Sequence, residues 1–97
     1  MSRVFAVLRS RGEGWKWSEP LERQDGWTSH AEFMDNLYAD GFAVLVGPLE
    51  ESGDALIIAR ANSAEEINKK LASDPWSRNG LLKTTRVEPW TLRLGSL

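Results

Sequence analysis

The chain has 97 residues, of which 41% are hydrophobic and 27% charged, and this length and composition predict one globular domain over residues 1–97. Its 12 basic and 14 acidic residues give a formal net charge of −2, which argues against a nucleic-acid partner. The chain has no cysteine, so disulfides and thiolate metal sites are excluded, and a cytoplasmic location is favoured.

The first part of the chain predicts a strand followed by a long loop. Residues 3–10 are apolar and rich in β-branched side chains, which is typical of a buried strand. Their apolar run is too short for a membrane span or a signal peptide core. Residues 11–24 contain Gly12, Gly14 and Pro20 and show no period, so they predict an irregular loop.

Residues 26–40 predict the first helix, because Trp27, the single histidine and Met34 recur with apolar side chains three or four positions apart. Tyr38 belongs to the same predicted stripe, and Gly41 predicts the end of the helix. The start has three candidate caps, which are Asp25, Thr28 and a capping box of Ser29 with Glu32.

Two strands follow at residues 42–49 and 55–60, and the short polar turn between them predicts an antiparallel hairpin. A capping box of Ser63 with Glu66 predicts the start of the second helix, and Asp74-Pro75 predicts its end. Residues 76–82 are predicted to be a connection. The final segment, 83–94, is predicted to be extended, with Pro89 at a bulge or a sheet edge.

The predicted order β-α-β-β-α-β is that of an α+β ferredoxin-like fold, in which a four-stranded antiparallel sheet carries two helices on one face. The helices can cover only that face of the sheet. The other face is also apolar and needs a cover, and a second copy of the chain is the simplest one. The sequence therefore predicts a homodimer with facing sheets.

Over nearly its whole length the chain resembles the YCII-related (YciI-like) family. The resemblance rests on four fragments in this order: His30 in the first helix, Gly47-Pro48, Asp74-Pro75-Trp76, and Val87-Glu88-Pro89-Trp90. The resemblance implies a dimeric ferredoxin-like fold, called a dimeric α+β barrel, and a catalytic pair that is carried here by His30 and Asp74. A related member is a dehydrochlorinase of a chlorinated hydroxyquinol, and the wider fold group includes muconolactone isomerases and cofactor-free monooxygenases. The tryptophan-rich loop 12–24 departs from the short members of the family.

His30 is the residue best suited to proton transfer, because an imidazole ordinarily titrates near neutral pH. A carboxylate that accepts from one ring nitrogen fixes the tautomer and leaves the other nitrogen as a base. Asp74 lies 44 positions further on, so only the fold can bring the two together. The alternative is that His30 packs in the core and Asp74 accepts backbone hydrogen bonds at a turn.

The resemblance and the aromatic content also indicate a substrate-binding wall of Trp27, Gly47, Pro48 and Trp76. Each has an alternative, since aromatic residues commonly pack in cores and Gly-Pro commonly forms a turn. Trp90 is suited either to a pocket wall or to dimer packing. Arg78 and Arg86 are suited either to holding an anionic substrate or to the solvated surface.

The sequence predicts no metal and no cofactor, because it has one histidine, no Asp-rich loop and no glycine pattern that binds nucleotides. Together with what the resemblance implies, this gives the first functional hypothesis, a cofactor-free, dehydrochlorinase-like lyase or isomerase that uses His30 and Asp74 on a small cyclic or aromatic substrate. The second is a non-catalytic dimer that binds a small molecule or a protein, which exposure of Trp15 and Trp17 would favour. The third is a small monooxygenase.

Overall fold

A computed structural model, which describes residues 2–97, shows a four-stranded antiparallel sheet with its helices on one face. The strand order β2-β3-β1-β4 is the ferredoxin-like arrangement, so the predicted fold class is confirmed. No helix within residues 2–97 has the length and apolar character to cross a bilayer. The elements are β1 (Arg3–Arg11), α1 (Trp27–Ala39), β2 (Ala43–Pro48), β3 (Ala55–Ala61), α2 (Ala64–Leu71), α3 (Pro75–Arg78) and β4 (Leu82–Pro89).

The main core lies between the sheet and the two longer helices. Side chains alternate between the faces of a strand, so the odd-numbered residues of β1 and β3 share the helical face. The buried members of this core are Phe5, Val7, Ile57, Ala59 and Ala61 from these strands, Leu37, Ile67 and Leu71 from the helices, and Phe42 and Ala43 at the start of β2. This alternation also directs the next odd residue of β1, Arg9, into the interior.

The opposite face of the sheet carries no helix. The strand register places Leu8 beside Leu56, and Leu45 beside Ile58, on this face. The side chain of Leu45 is 55% exposed and that of Trp90 is 46% exposed. Pro89 ends the edge strand β4, which agrees with the predicted sheet edge, and the strand does not extend to residue 94.

Helix α1 begins differently from the prediction. Its N-cap is Gly26, which has a φ of 77° and therefore a left-handed conformation that favours glycine. No side chain caps this end, so the three predicted caps are wrong. Gly41 ends the helix as predicted, by a Schellman motif in which Gly41 N–H donates to Tyr38 O. Tyr38 itself is exposed, so its place on the buried stripe is wrong.

The second half of the chain contains one more helix than predicted. The start of α2 is confirmed, because Glu66 N–H donates to Ser63 Oγ at 3.2 Å. Residues 76–82 are not only a connection, since Pro75–Arg78 forms the single turn α3. Proline at the first helical position and an aspartate N-cap explain this turn, because Asp74 ends the preceding segment and starts the next.

The long loop after β1 is ordered by one buried amide. Gln24 accepts from Lys16 N–H at 2.9 Å and donates from Nε2 to the carbonyls of Lys16 and Glu19. The loop also contains a 3₁₀ turn, Leu21–Arg23. This arrangement places Trp15 in a second apolar cluster with Trp76, Leu81 and Leu82.

Candidate active site

The structure brings His30 and Asp74 into direct contact. Nδ1 of His30 lies 2.9 Å from Oδ1 and 3.0 Å from Oδ2 of Asp74. His30 lies in the first turn of α1, and Asp74 lies between α2 and α3. The fold therefore brings together two groups that are 44 positions apart, and Asp74 is fully buried.

Asp74 is held in place by its second role, as the N-cap of α3. Its Oδ1 accepts from Trp76 N–H at 3.0 Å, and its backbone is extended, as the following proline requires. The alternative role predicted for Asp74, accepting a backbone hydrogen bond at a turn, is thus correct as well. One carboxylate serves the turn and contacts the imidazole.

Arg9 is the nearest partner of Asp74, and it was not predicted from the sequence. Its guanidinium lies 2.6 Å from Asp74 Oδ2, and the residue is 1% exposed. The same guanidinium donates to Thr84 Oγ1 at 3.3 Å and to the hydroxyl of Ser77. The sequence did contain a signal, because residues two positions apart in a strand lie on the same face, and Arg9 follows the buried Val7 by two.

These contacts decide the protonation of Asp74. Burial raises the pKa of its carboxyl, but hydrogen bonds from His30, Arg9 and the Trp76 backbone together hold that pKa below its ordinary value of 3.8. An ionised carboxylate can only accept, so Nδ1 of His30 is the donor. The Nε2 atom makes no hydrogen bond within residues 2–97 and carries the lone pair when the ring is neutral.

Trp76 forms the floor beneath the imidazole. The two rings are stacked, with centroids 3.8 Å apart and planes 6° apart. Trp76 is fully buried and donates from Nε1 to Asp25 O at 2.7 Å, which fixes the ring plane. Trp15 meets it edge-on at 5.4 Å. The position of the imidazole is therefore set by both Asp74 and an indole.

A cavity of about 110 Å³ opens beside the imidazole. Of the predicted site residues, His30, Gly47, Pro48 and Trp76 line it. Seven further residues line the cavity and were not predicted as site residues: Arg11, Trp15, Leu21, Val46, Gly53, Ala55 and Leu82. The arrangement can bind a small flat molecule and exchange a proton with it at Nε2.

The other candidates lie away from the cavity. Trp27 packs at 5.9 Å from the Trp76 ring and 6.1 Å from the His30 ring, and it is not among the lining residues. Trp90 and Arg86 lie on the uncovered sheet face, where Arg86 pairs with Glu88. The two tryptophans of the loop differ in exposure, because Trp15 is buried whereas Trp17 is 69% exposed.

Within the part of the chain that the structure describes, the site lacks a set of side chains that could bind a metal ion. No three His, Asp or Glu side chains cluster there as ligands. Asp74 already accepts from three donors, and its neighbour Arg9 would repel a cation.

The comparisons with known proteins agree with this fold. A family model described as YCII-related domain matches residues 6–91. Among solved structures, the chain is similar to 5-chloro-2-hydroxyhydroquinone dehydrochlorinase from Burkholderia phenoliruptrix AC1100 in its complex with 2,5-dihydroxybenzoquinone. That likeness has a TM-score of 0.66 and 22% identity, and it covers 91% of this chain and 93% of the other. No curated protein has a matching sequence.

Proposed function

The chain belongs to the YCII-related family, and from this premise we propose that it is a cofactor-free enzyme of the lyase or isomerase type. His30 moves a proton on a small cyclic or aromatic substrate, and Asp74 orients the imidazole. Gly47, Pro48 and Trp76 form the substrate wall, and Trp27 supports this wall from behind.

One observation carries the proposal: the imidazole is held at Nδ1 and lines a cavity. A buried carboxylate at 2.9 Å occupies Nδ1, and Nε2 has no protein partner within residues 2–97. A core histidine would use both nitrogens or meet solid packing. A base held in one tautomer beside an open space is the arrangement that general base catalysis needs.

The proton transfer follows from these contacts. Nε2 takes a proton from a ring hydroxyl group or from a saturated carbon next to a ring carbonyl, so that the electron pair is delocalised onto oxygen, and the resulting imidazolium faces the ionised Asp74. In a lyase the electron pair left on the substrate expels an anionic leaving group, and in an isomerase the imidazolium returns the proton to another atom. Arg9 already neutralises part of the charge on Asp74, so the carboxylate orients the imidazole without retaining the proton.

The structural neighbour supports the choice of substrate class. That protein is a dehydrochlorinase and was solved with a dihydroxybenzoquinone. A six-membered ring with oxygen substituents also suits this chain, because an apolar cavity of about 150 Å³ is enough to hold benzene. The cavity here is somewhat smaller, about 110 Å³, and the aromatic side chains of Trp15, His30 and Trp76 are among those that line it.

We expect hydroxylated benzoquinones and chlorinated hydroquinones to exchange ring hydrogens with D₂O, or to eliminate chloride, in the presence of the protein. The His30→Gln variant should lower this rate by about 10²- to 10⁴-fold, because it removes the base. Proton NMR of the substrate follows the exchange, and a chloride electrode follows elimination.

Two further variants complete this test. Asp74→Asn should also lower the rate, whereas Tyr38→Phe, on an exposed part of the same helix, should leave it unchanged. Equal rates in the wild type, His30→Gln and Asp74→Asn would refute the proposal. Binding of the same compounds without any exchange would favour a non-catalytic binding protein, and uptake of O₂ would favour a monooxygenase.

We also propose that the protein is a homodimer in which the uncovered sheet faces meet. The support is the apolar character of this face, which carries Ala6, Leu56, Ile58, Pro89 and Trp90 around one depression. Exposure of an apolar sheet face to water is unfavourable, and its burial under another surface lowers the free energy. The same side chains on a second copy provide that surface under two-fold symmetry.

The Leu45→Glu variant is therefore expected to be a monomer of 10.9 kDa, whereas the wild type has twice this mass. Leu45 is more than half exposed in the single chain, so a carboxylate there should not disturb the fold itself. Sedimentation equilibrium measures the mass, and Ala72→Glu, exposed at the end of α2, is the matched control. A wild-type protein that sediments as a monomer would contradict the dimer.

A further inference from the structure

Arg11 brings an unbalanced positive charge to the wall of the cavity. It lies two residues after Arg9 in β1, on the same face of the sheet. Arg9 has Asp74 as its counter-ion, but Arg11 forms no ion pair within residues 2–97. The charge of the Asp74 carboxylate is thus already balanced, and that of Arg11 is not.

The hydrogen-bonding capacity of Arg11 is also unused. A guanidinium has five N–H donors, and none of those of Arg11 reaches a protein acceptor within residues 2–97. Its Nε atom is buried without a partner there, whereas its two terminal nitrogens are unpaired and still accessible. These terminal N–H groups are therefore free to donate to an acceptor in the cavity.

Three neighbours hold the guanidinium in this position. Its Cζ lies 4.5 Å from the centre of the Trp15 ring and 5.1 Å from that of Trp17. On another side is Gly53, where a Cβ would lie 2.5 Å from Cζ and the φ is 77°. The contact with aromatic rings keeps the cation in place without neutralising it. Glycine at position 53 leaves room for it.

From these observations we infer that the cavity selects an anionic ligand, whose planar oxyanion (a carboxylate or an ionised ring hydroxyl) pairs with Arg11. The ring of that ligand lies against Trp15, so that a ring carbon faces His30. This inference rests on the proposed function, because it names the charge of the substrate at the same site. A guanidinium fork matches the two oxygens of a carboxylate, and its charge attracts either oxyanion more strongly than a neutral ring.

The probes are benzoate and benzamide, which share a ring and differ in charge. Wild-type protein should bind benzoate at least about tenfold more tightly than benzamide, as a charge-assisted hydrogen bond implies. Arg11→Gln should remove this ratio, whereas Arg78→Gln, an exposed arginine outside the cavity, should keep it. The indole N–H signals of Trp15 and Trp76 in ¹H–¹⁵N spectra report binding at the site and the integrity of the fold.

Gly53→Ala tests the same point without changing the charge. Its new methyl group displaces the flexible end of Arg11, and alanine is strained at a φ of 77°, so the indole signals must first show an intact fold. Affinity for benzoate should then fall more than affinity for benzamide. Equal affinity for both probes in the wild type, no benzoate binding, or an unchanged ratio in Arg11→Gln would overturn the inference. The His30→Gln variant should retain benzoate binding, because binding depends on Arg11 and not on the base. If the wild type selects benzoate but exchanges no proton, only the proposed function is refuted. Exchange on neutral rings without selection refutes only the anion site.

Discussion

Replacing Arg9 by methionine is expected to destabilise the protein by about 3–5 kcal/mol at pH 8, which is the cost of breaking a buried ion pair from one side. Methionine keeps most of the volume of the side chain, so the loss comes from Asp74, whose carboxylate remains buried without its nearest cation. The hydroxyl groups of Ser77 and Thr84 also lose a donor. Urea unfolding followed by circular dichroism measures the difference.

The double variant Arg9→Met/Asp74→Asn separates the charge from the packing. Asparagine keeps an oxygen to cap α3 but carries no charge, so the double variant should be more stable than Arg9→Met alone. An Arg9→Met variant as stable as the wild type at pH 8 would show that Asp74 does not depend on Arg9.

The fold was predictable from the sequence because its signals are local. The apolar, β-branched run of residues 3–10, the 3.6-residue period of α1, and the Ser63–Glu66 box each require only neighbouring residues. The start of α1 was missed because a glycine in a left-handed turn replaces the side-chain cap. The α3 turn was missed because four residues are too few to show a period.

The candidate site was predictable only in part. The pairing of His30 with Asp74 came from family resemblance, since nothing local relates two residues 44 positions apart. Arg9 and Arg11 were overlooked because arginine in a strand usually faces solvent. Their parity with Phe5 and Val7 was the available signal, because a period of two directs all four side chains to the helical face.

Trp76→Ala is expected to cost about 3–5 kcal/mol, as is usual when a large aromatic side chain is removed from a core. For a domain of this size the melting temperature should fall by about 15 °C or more. The indole is fully buried between Trp15 and the imidazole, and it also binds the carbonyl of Asp25, so nothing nearby can fill its space cheaply. Differential scanning calorimetry measures the change.

The matched variant Trp76→Phe separates the ring from its hydrogen bond. Phenylalanine keeps a flat surface under His30 but loses the Nε1–H donor to Asp25 O, so the cost should be about 1 kcal/mol beyond the loss of ring area. The Trp76→Phe variant should therefore melt well above Trp76→Ala and retain the proton exchange that the stacked imidazole performs. If both variants melted together, the hydrogen bond rather than the aromatic packing would be the main contribution of this residue, and the stacking would have no stabilising role.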